Sequence, residues 1–379
     1  MSIVLVMVSM LYMQLIAIAN QPNGYQLRRV ASIVECPDCT SYFTEALTVK
    51  NIGSFLQSFH LNQHVFHGQN KPPGPVLYYV LMLRLFNDPY HAALIGGILI
   101  GLLATFSIPA TYFLVKSLIN NQHAAFHAAS YISLTPGLVL FFPEFDQIFP
   151  VFTCLIIGCW VLAIAKDSIA YSSLLGAITS IAFFMTWNPA VLAVFLMLYT
   201  ICFLICSDGA GKLSLVLRHI CVALALIVFV YFILWLVSGY HPIKALHTAI
   251  IRQNAIAPPD RIYPKTILFD LTDYLLGTGW PIVLLVMFIA RKIRAKTHDN
   301  EWWVSIIGLV QIASVAIMHL LPAETARVWI FMFPLIALPV GLELSKFSNS
   351  VRVAVYASFW ILTLSICQNM TFIRPSKLL

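Results

Sequence analysis

Apolar stretches close to the roughly 20 residues needed to cross about 30 Å of hydrocarbon recur along nearly the whole chain. Ile3 to Ala19, His91 to Val115, His123 to Phe142, Cys221 to Val237, Trp302 to Leu320, Val328 to Leu344 and Val353 to Ile366 are the clearest. Backbone in hydrocarbon must satisfy its own N–H and C=O groups, and a helix does so within one segment. Composition agrees: the 379 residues are 60% hydrophobic and 10% charged, whereas a soluble domain is roughly a quarter charged. The expectation is an all-α membrane protein, one transmembrane domain over residues 1–379, with about eleven spans (range about 10–13). The first apolar run lacks a basic leader and a small-residue cleavage site, so it reads as a helix that stays in the membrane.

A net charge of +7 would suit nucleic acid if the basic residues were gathered in a water-soluble patch. They are instead scattered between spans or set beside one, as in Arg291-Lys292-Ile293-Arg294-Ala295-Lys296, which is the signature of a cytoplasmic loop. Counting from that loop places the N-terminus inside and the C-terminus outside. Two long loops, residues 20–75 and 239–275, then fall outside, the first carrying Phe43, Phe55, Leu56, Phe59 and Val65 at roughly helical spacing, as in helices lying on the membrane. Asp38, Lys71, Asp146, Arg252, Arg261, Glu324 and Arg327 all land on that outer face. Proline ends a helix, so Thr186-Trp187-Asn188-Pro189 divides the run Ser172 to Ile205 into two spans. Pro75 to Phe86 is too short to cross and is expected at the interface or as a re-entrant segment. No internal repeat of the kind many transporters show is present.

The outer face holds the residue types that chemistry needs. Cys36-Pro37-Asp38-Cys39 precedes a short helical pattern starting near Tyr42, and Asp38 either caps that helix or acts from its start. Cys36 and Cys39 form a tight disulfide or stay free; a zinc site would need two further ligands. Three histidines, His60, His64 and His67, lead to Lys71-Pro72-Pro73-Gly74, where the lysine is either a phosphate ligand or a snorkelling anchor. Phe142-Pro143-Glu144-Phe145-Asp146 brings two carboxylates into apolar surroundings, where acidic groups are costly and mark function. Glu324 and Arg327 stand one helical turn apart, placed for an ion pair or for a phosphate or sugar contact. Arg252 and Arg261 are further cations of the second loop.

Taken in order, an aspartate with Tyr42 in a long first loop, Lys-Pro-Pro-Gly ahead of Tyr78-Tyr79, and Asp146 further on resemble the C-type (GT-C) integral-membrane glycosyltransferases. The nearest groups are the protein O-mannosyltransferases and lipid A aminoarabinose transferases, over about residues 30–190. The resemblance implies a GT-C bundle and transfer of a sugar, with inversion, from a polyprenyl-phosphate donor to an acceptor on the extracytoplasmic face of the plasma membrane. Asp38 would be the general base, Lys71 would hold the lipid phosphate, Asp146 would orient the donor or bind a divalent metal such as Mg or Mn, and Tyr42, Glu144, Glu324, Arg327, Arg252 and Arg261 would contact substrate. The aminoarabinose relatives carry an acid after the aspartate and an arginine before the tyrosine, where this chain has Cys39 and Ser41. The place of the arginine then falls to Arg327, Arg252 or Arg261, and Glu45 is a poor replacement for the missing acid. The partners expected are the lipid-linked donor, an acceptor that is protein, glycan or lipid, and membrane lipids, with no nucleic acid. The rival readings are a transporter or lipid flippase, and a non-catalytic relative acting as scaffold.

Overall fold

The computed structural model describes residues 2–19, 27–61, 68, 70–206, 210–256, 263–296, 299–321 and 324–370, and the described part is helical with no strand. The chain opens with α1 (Ile3–Ala19) and three short helices of the first loop, α2 (Leu27–Glu35), α3 (Tyr42–Ala46) and α4 (Ile52–Ser58). Next come α5 (Gly74–Phe86), α6 (Pro89–Ala104), α7 (Ser107–Ile119), α8 (Gln122–Ile132) and α9 (Pro136–Leu140). A 3-10 turn over Phe145–Ile148 leads into α10 (Phe149–Lys166) and α11 (Ile169–Met185); a second, Asn188–Leu192, leads into α12 (Ala193–Cys206) and α13 (Ala210–Ser238). The second half comprises α14 (Pro242–Ile256), α15 (Lys265–Thr278), α16 (Ile282–Ala295), α17 (Asn300–Ile317), α18 (Thr325–Val328), α19 (Phe333–Leu344) and α20 (Asn349–Asn369).

Among the described residues six segments are long and apolar enough to cross a membrane: Pro89–Ile119, Phe145–Lys166, Asn188–Cys206, Lys212–Ser238, Asn300–Ile317 and Asn349–Asn369. A seventh arises if α15 and α16, bent by 100° at the break between them, form one span. The expected eleven is reached only if shorter apolar helices such as Ile3–Ile18, Ile169–Met185 and Ile330–Leu344, and the broken pair α8 and α9, also cross. The first three are apolar helices of 10–17 residues, and the last is broken ahead of Pro136. The helix that leads to the basic loop starts at Ile282, because α15 runs on to Thr278 and Gly279 ends it in the left-handed region (φ 80°).

Burial separates the core from the lipid-facing rim. Every residue of α19 is buried, and α10 is buried along most of its length, whereas the Lys212–Ser238 window is only 6% buried. A helix that is apolar all round fits either place, and the polar stitches decide which neighbour it meets. At the proline break before α12, the Gln311 side chain accepts from the Phe195 N–H (2.8 Å) and donates to the Val191 carbonyl (3.0 Å). It thereby satisfies backbone groups that the broken helix cannot.

The first-loop apolar residues pack largely against the rest of the protein. Phe43, Leu56 and Phe59 are buried, Phe43 against Tyr79 with ring centroids 5.4 Å apart; Val65, His64, His67 and Arg261 lie outside the described residues. Ionisable groups are also not confined to one end. At the end of α19 remote from Arg327, Arg291 bonds the buried Glu343 (2.5 Å), and Lys292 joins Asp299 (2.7 Å) and Glu301 (2.8 Å). Short loops gather there, with Asn300 donating to the Leu118 carbonyl (2.7 Å).

Candidate active site

The turn between α2 and α3 forms one wall. The Cys39 N–H donates to the Cys36 carbonyl (3.1 Å), and Ser41 stands in the left-handed region (φ 57°) immediately before α3. Ser41 occupies the N-cap of α3 without a side-chain cap bond, and Asp38 sits exposed on the turn before it. From α3, Tyr42 points inward with 5% exposure and meets Phe145 edge-on at 5.8 Å. Tyr78 and Tyr79 of α5 also pack on Phe145, at 5.1 and 5.7 Å. These edge-to-face contacts fasten the first loop, α5 and the 3-10 turn carrying Asp146 into one block.

The opposite wall is α18. Thr325 Oγ1 donates to the Asp270 carbonyl (2.6 Å), and the Ala326 N–H donates to Asp273 Oδ2 (2.9 Å). Glycines let α18 come close: a Cβ at Gly137 of α9 would stand 3.0 Å from the Ala326 carbonyl oxygen, and one at Gly277 of α15 2.8 Å from it. Real side chains do not tolerate the second distance, and the first leaves little room.

Arg327, held by that helix and 6% exposed, joins the two walls. Its Nη2 meets Glu324 Oε2 at 2.6 Å, its Nε lies 3.7 Å from Asp146 Oδ2, and its Nη1 donates to the Cys39 carbonyl (3.4 Å). Of the three arginines offered for the missing first-loop cation, Arg327 reaches the Cys39–Ser41 segment, and Arg261 lies outside the described residues. Arg252 lies on α14, a helix rather than an open loop, whose Thr248 reaches the His60 carbonyl (3.5 Å).

Electrostatics follow from this enclosure. Burial opposes the Arg327 charge, but Asp146, then Glu324 and Glu144, outweigh it and raise its pKa. Glu144, 3% exposed, is pushed up to about 8, first by burial and further by Asp146 and Glu324, with Arg327 pulling the other way. It is therefore a neutral acid at pH 7. Lys71, half-buried ahead of α5, is lowered by burial while Asp146 acts to keep it charged. Burial, then Asp146, keep the Tyr42 phenol un-ionised, and Glu45 adds to that field. Glu45 is 4% exposed, so the acid that seemed remote from the aspartate in sequence borders the site. Asp270 and Asp273, which seat α18, were missed by sequence reasoning; their signal is two acids one turn apart in the apolar run of α15.

The sequence profile of the dolichyl-phosphate-mannose-protein mannosyltransferase family matches residues 70–235. That range includes Lys71, Glu144 and Asp146 and excludes Asp38 and Arg327. No curated protein sequence matches the chain. Among solved structures, ArnT from Cupriavidus metallidurans in the apo state aligns over 93% of this chain and 61% of its own, with TM-score 0.58 and 12% identity. The same protein bound to undecaprenyl phosphate aligns over 91% and 60%, with TM-score 0.57 and 12% identity. A weaker likeness, TM-score 0.47 at 12% identity over 98% of this chain and 56% of the other, is to the oligosaccharyltransferase AglB from Archaeoglobus fulgidus in complex with an inhibitory peptide and a dolichol-phosphate. The chain thus spans about three-fifths of the length of ArnT. With an all-helical membrane architecture that follows ArnT over nearly its whole length, the chain has the fold of the C-type integral-membrane glycosyltransferases.

Proposed function

We propose that this protein transfers a sugar from a polyprenyl-phosphate donor to an acceptor hydroxyl on the extracytoplasmic side of the membrane. The observation that carries the reading is Arg327, a buried cation joining Asp146 to the first-loop turn, with Lys71 in the field of both. Undecaprenyl phosphate, bound by the structurally similar ArnT, is the kind of carrier such a pair of cations suits. In the proposed reaction the acceptor oxygen attacks the anomeric carbon, the carbon–oxygen bond to the phosphate breaks, and the acceptor proton passes to a carboxylate. Asp38, exposed on its turn, is the proposed base that takes the acceptor proton. Lys71 and Arg327 stabilise the charge that develops on the leaving phosphate. Glu324, 61% exposed, is free to swing from Arg327 as phosphate arrives, while Asp146 stays to orient the guanidinium.

Among the described residues no three histidine, cysteine or carboxylate side chains converge as a metal site. Asp146 and Glu324 face Arg327, and the proposal that Asp146 also holds a divalent metal such as Mg or Mn is tested by chelation: loss of transfer restored by added metal supports it, and unchanged transfer overturns it. The test is transfer from a radiolabelled polyprenyl-phosphate sugar pool in membranes containing the wild type, Asp38→Asn or Lys71→Ala. Loss of transfer in both variants at normal protein level is expected. Transfer that survives both changes would sink the assigned roles, and no transfer from the wild type across several donors would favour the non-catalytic scaffold, the reading to which Cys39 and Ser41 lend weight.

A further inference from the structure

We propose that Cys36 and Cys39 are a disulfide site, and that the bond staples the turn on which Asp38 stands. The two residues bracket Pro37-Asp38 and close a β-turn through the Cys39 N–H to Cys36 carbonyl bond of 3.1 Å. Such a turn holds its end Cα atoms within about 7 Å, inside the range a disulfide spans. Both cysteines are buried together: they share one small cluster with Ile33 and are 6% and 4% exposed. Both are free thiols in this structure, as are all the others, of which Cys154, Cys159, Cys202, Cys206, Cys221 and Cys367 lie on helices of the bundle.

Two features suggest what the staple does. Ser41, two residues beyond, is non-glycine yet left-handed (φ 57°) and fully buried, a conformation that persists only where its surroundings enforce it. The Cys39 carbonyl accepts from Arg327 Nη1 (3.4 Å), so the turn is also a wall of the candidate active site. A cross-link would fix the position of Asp38 and of that carbonyl together. Burial raises the Cys39 pKa and disfavours thiolate in the folded protein, so the bond forms during folding, before the pair is covered. In the reaction the two S–H bonds break and one S–S bond forms. Two electrons and two protons pass to a disulfide-bearing protein oxidant of the extracytoplasmic face, which leaves as a dithiol. The inference rests on the reading that the first loop is extracytoplasmic; its link to catalysis rests on the glycosyltransferase reading.

The experiment is denaturation of the full-length, detergent-purified protein in N-ethylmaleimide without reductant, followed by digestion and mass spectrometry. The peptide holding Cys36 and Cys39 is expected unlabelled and lighter by two hydrogens than the dithiol, taking up label only after reduction, while the other cysteines label at once. Labelling of Cys36 and Cys39 without reduction overturns the proposal. Hydrogen exchange separates bond from staple without using activity. Amides from Asp38 to Ser41 are expected to exchange severalfold faster after reduction, and in Cys36→Ser/Cys39→Ser regardless of reductant. Equal exchange in all three states overturns the staple. An oxidised, protected turn in a protein that transfers no sugar supports the disulfide and removes the enzymatic reading alone.

Discussion

Arg327 Nε lies 3.7 Å from Asp146 Oδ2, with the two side chains only 7% and 13% exposed. Asp146 comes from the turn before α10 and Arg327 from the short helix before α19, so this contact ties the two halves of the chain at the candidate active site.

Removing one member of a buried pair strands the other charge, at a cost of about 3 kcal/mol. Arg327→Met is expected to lower stability by that order and to abolish transfer. Asp146→Leu placed in the same protein should recover much of the stability and none of the transfer, since the two effects have different causes. Thermal unfolding in detergent, followed by tryptophan fluorescence, reads the first, and strictly additive losses would contradict the pairing.

Glu144 makes stability depend on pH. Its folded pKa of about 8 lies above the ordinary 4.5, so the folded state holds a proton that the unfolded state releases. Stability is therefore greatest below about pH 4.5 as far as this group is concerned, falls as pH rises toward 8, and levels off above it. Glu144→Gln should flatten that slope in urea unfolding measured from pH 5 to 9. An unchanged slope in the variant would assign the dependence elsewhere.

Lys71→Ala should act on donor binding. A hydrogen bond to a charged group contributes about 1.5–3 kcal/mol, so kcat/KM for the donor is expected to fall by about 30-fold, enough to lose transfer from a sub-saturating pool, with Lys71→Arg intermediate. Titration of the lipid-linked donor checks this; a fall confined to kcat would place Lys71 at the transition state only.

The seat of α18 makes a prediction far from any charge. Gly277→Ala sets a methyl against the Ala326 carbonyl, 2.8 Å away, and overpacking of this kind costs about 1–3 kcal/mol. Transfer is expected to fall more than stability does, because the displaced backbone carries Arg327. Wild-type transfer with normal melting would show that α18 has room to shift.

Much of this was legible in the sequence. The helix break at Thr186–Pro189, the short helix after Lys71-Pro72-Pro73 and the pairing of Glu324 with Arg327 all followed from proline chemistry and helical spacing. The burial of the first loop did not, because an amphipathic helix has the same pattern against lipid as against protein; only the aromatic partners on α5 decide. Nor did the contact of Arg327 with the first-loop turn. It depends on the packing of α18 against α15 and α9, a long-range event with no local signature.

A cation hung from a four-residue helix, itself fastened to α9 and α15, has no local address. The stretch recognised by the mannosyltransferase family profile, residues 70–235, contains the acid of the pair and the α9 side of the seat but neither the arginine nor α15. A fragment of that stretch would keep the recognisable text and lose the grammar. Searches for further proteins of this type will therefore do better by comparing whole three-dimensional outlines than by matching the segment that reads most clearly.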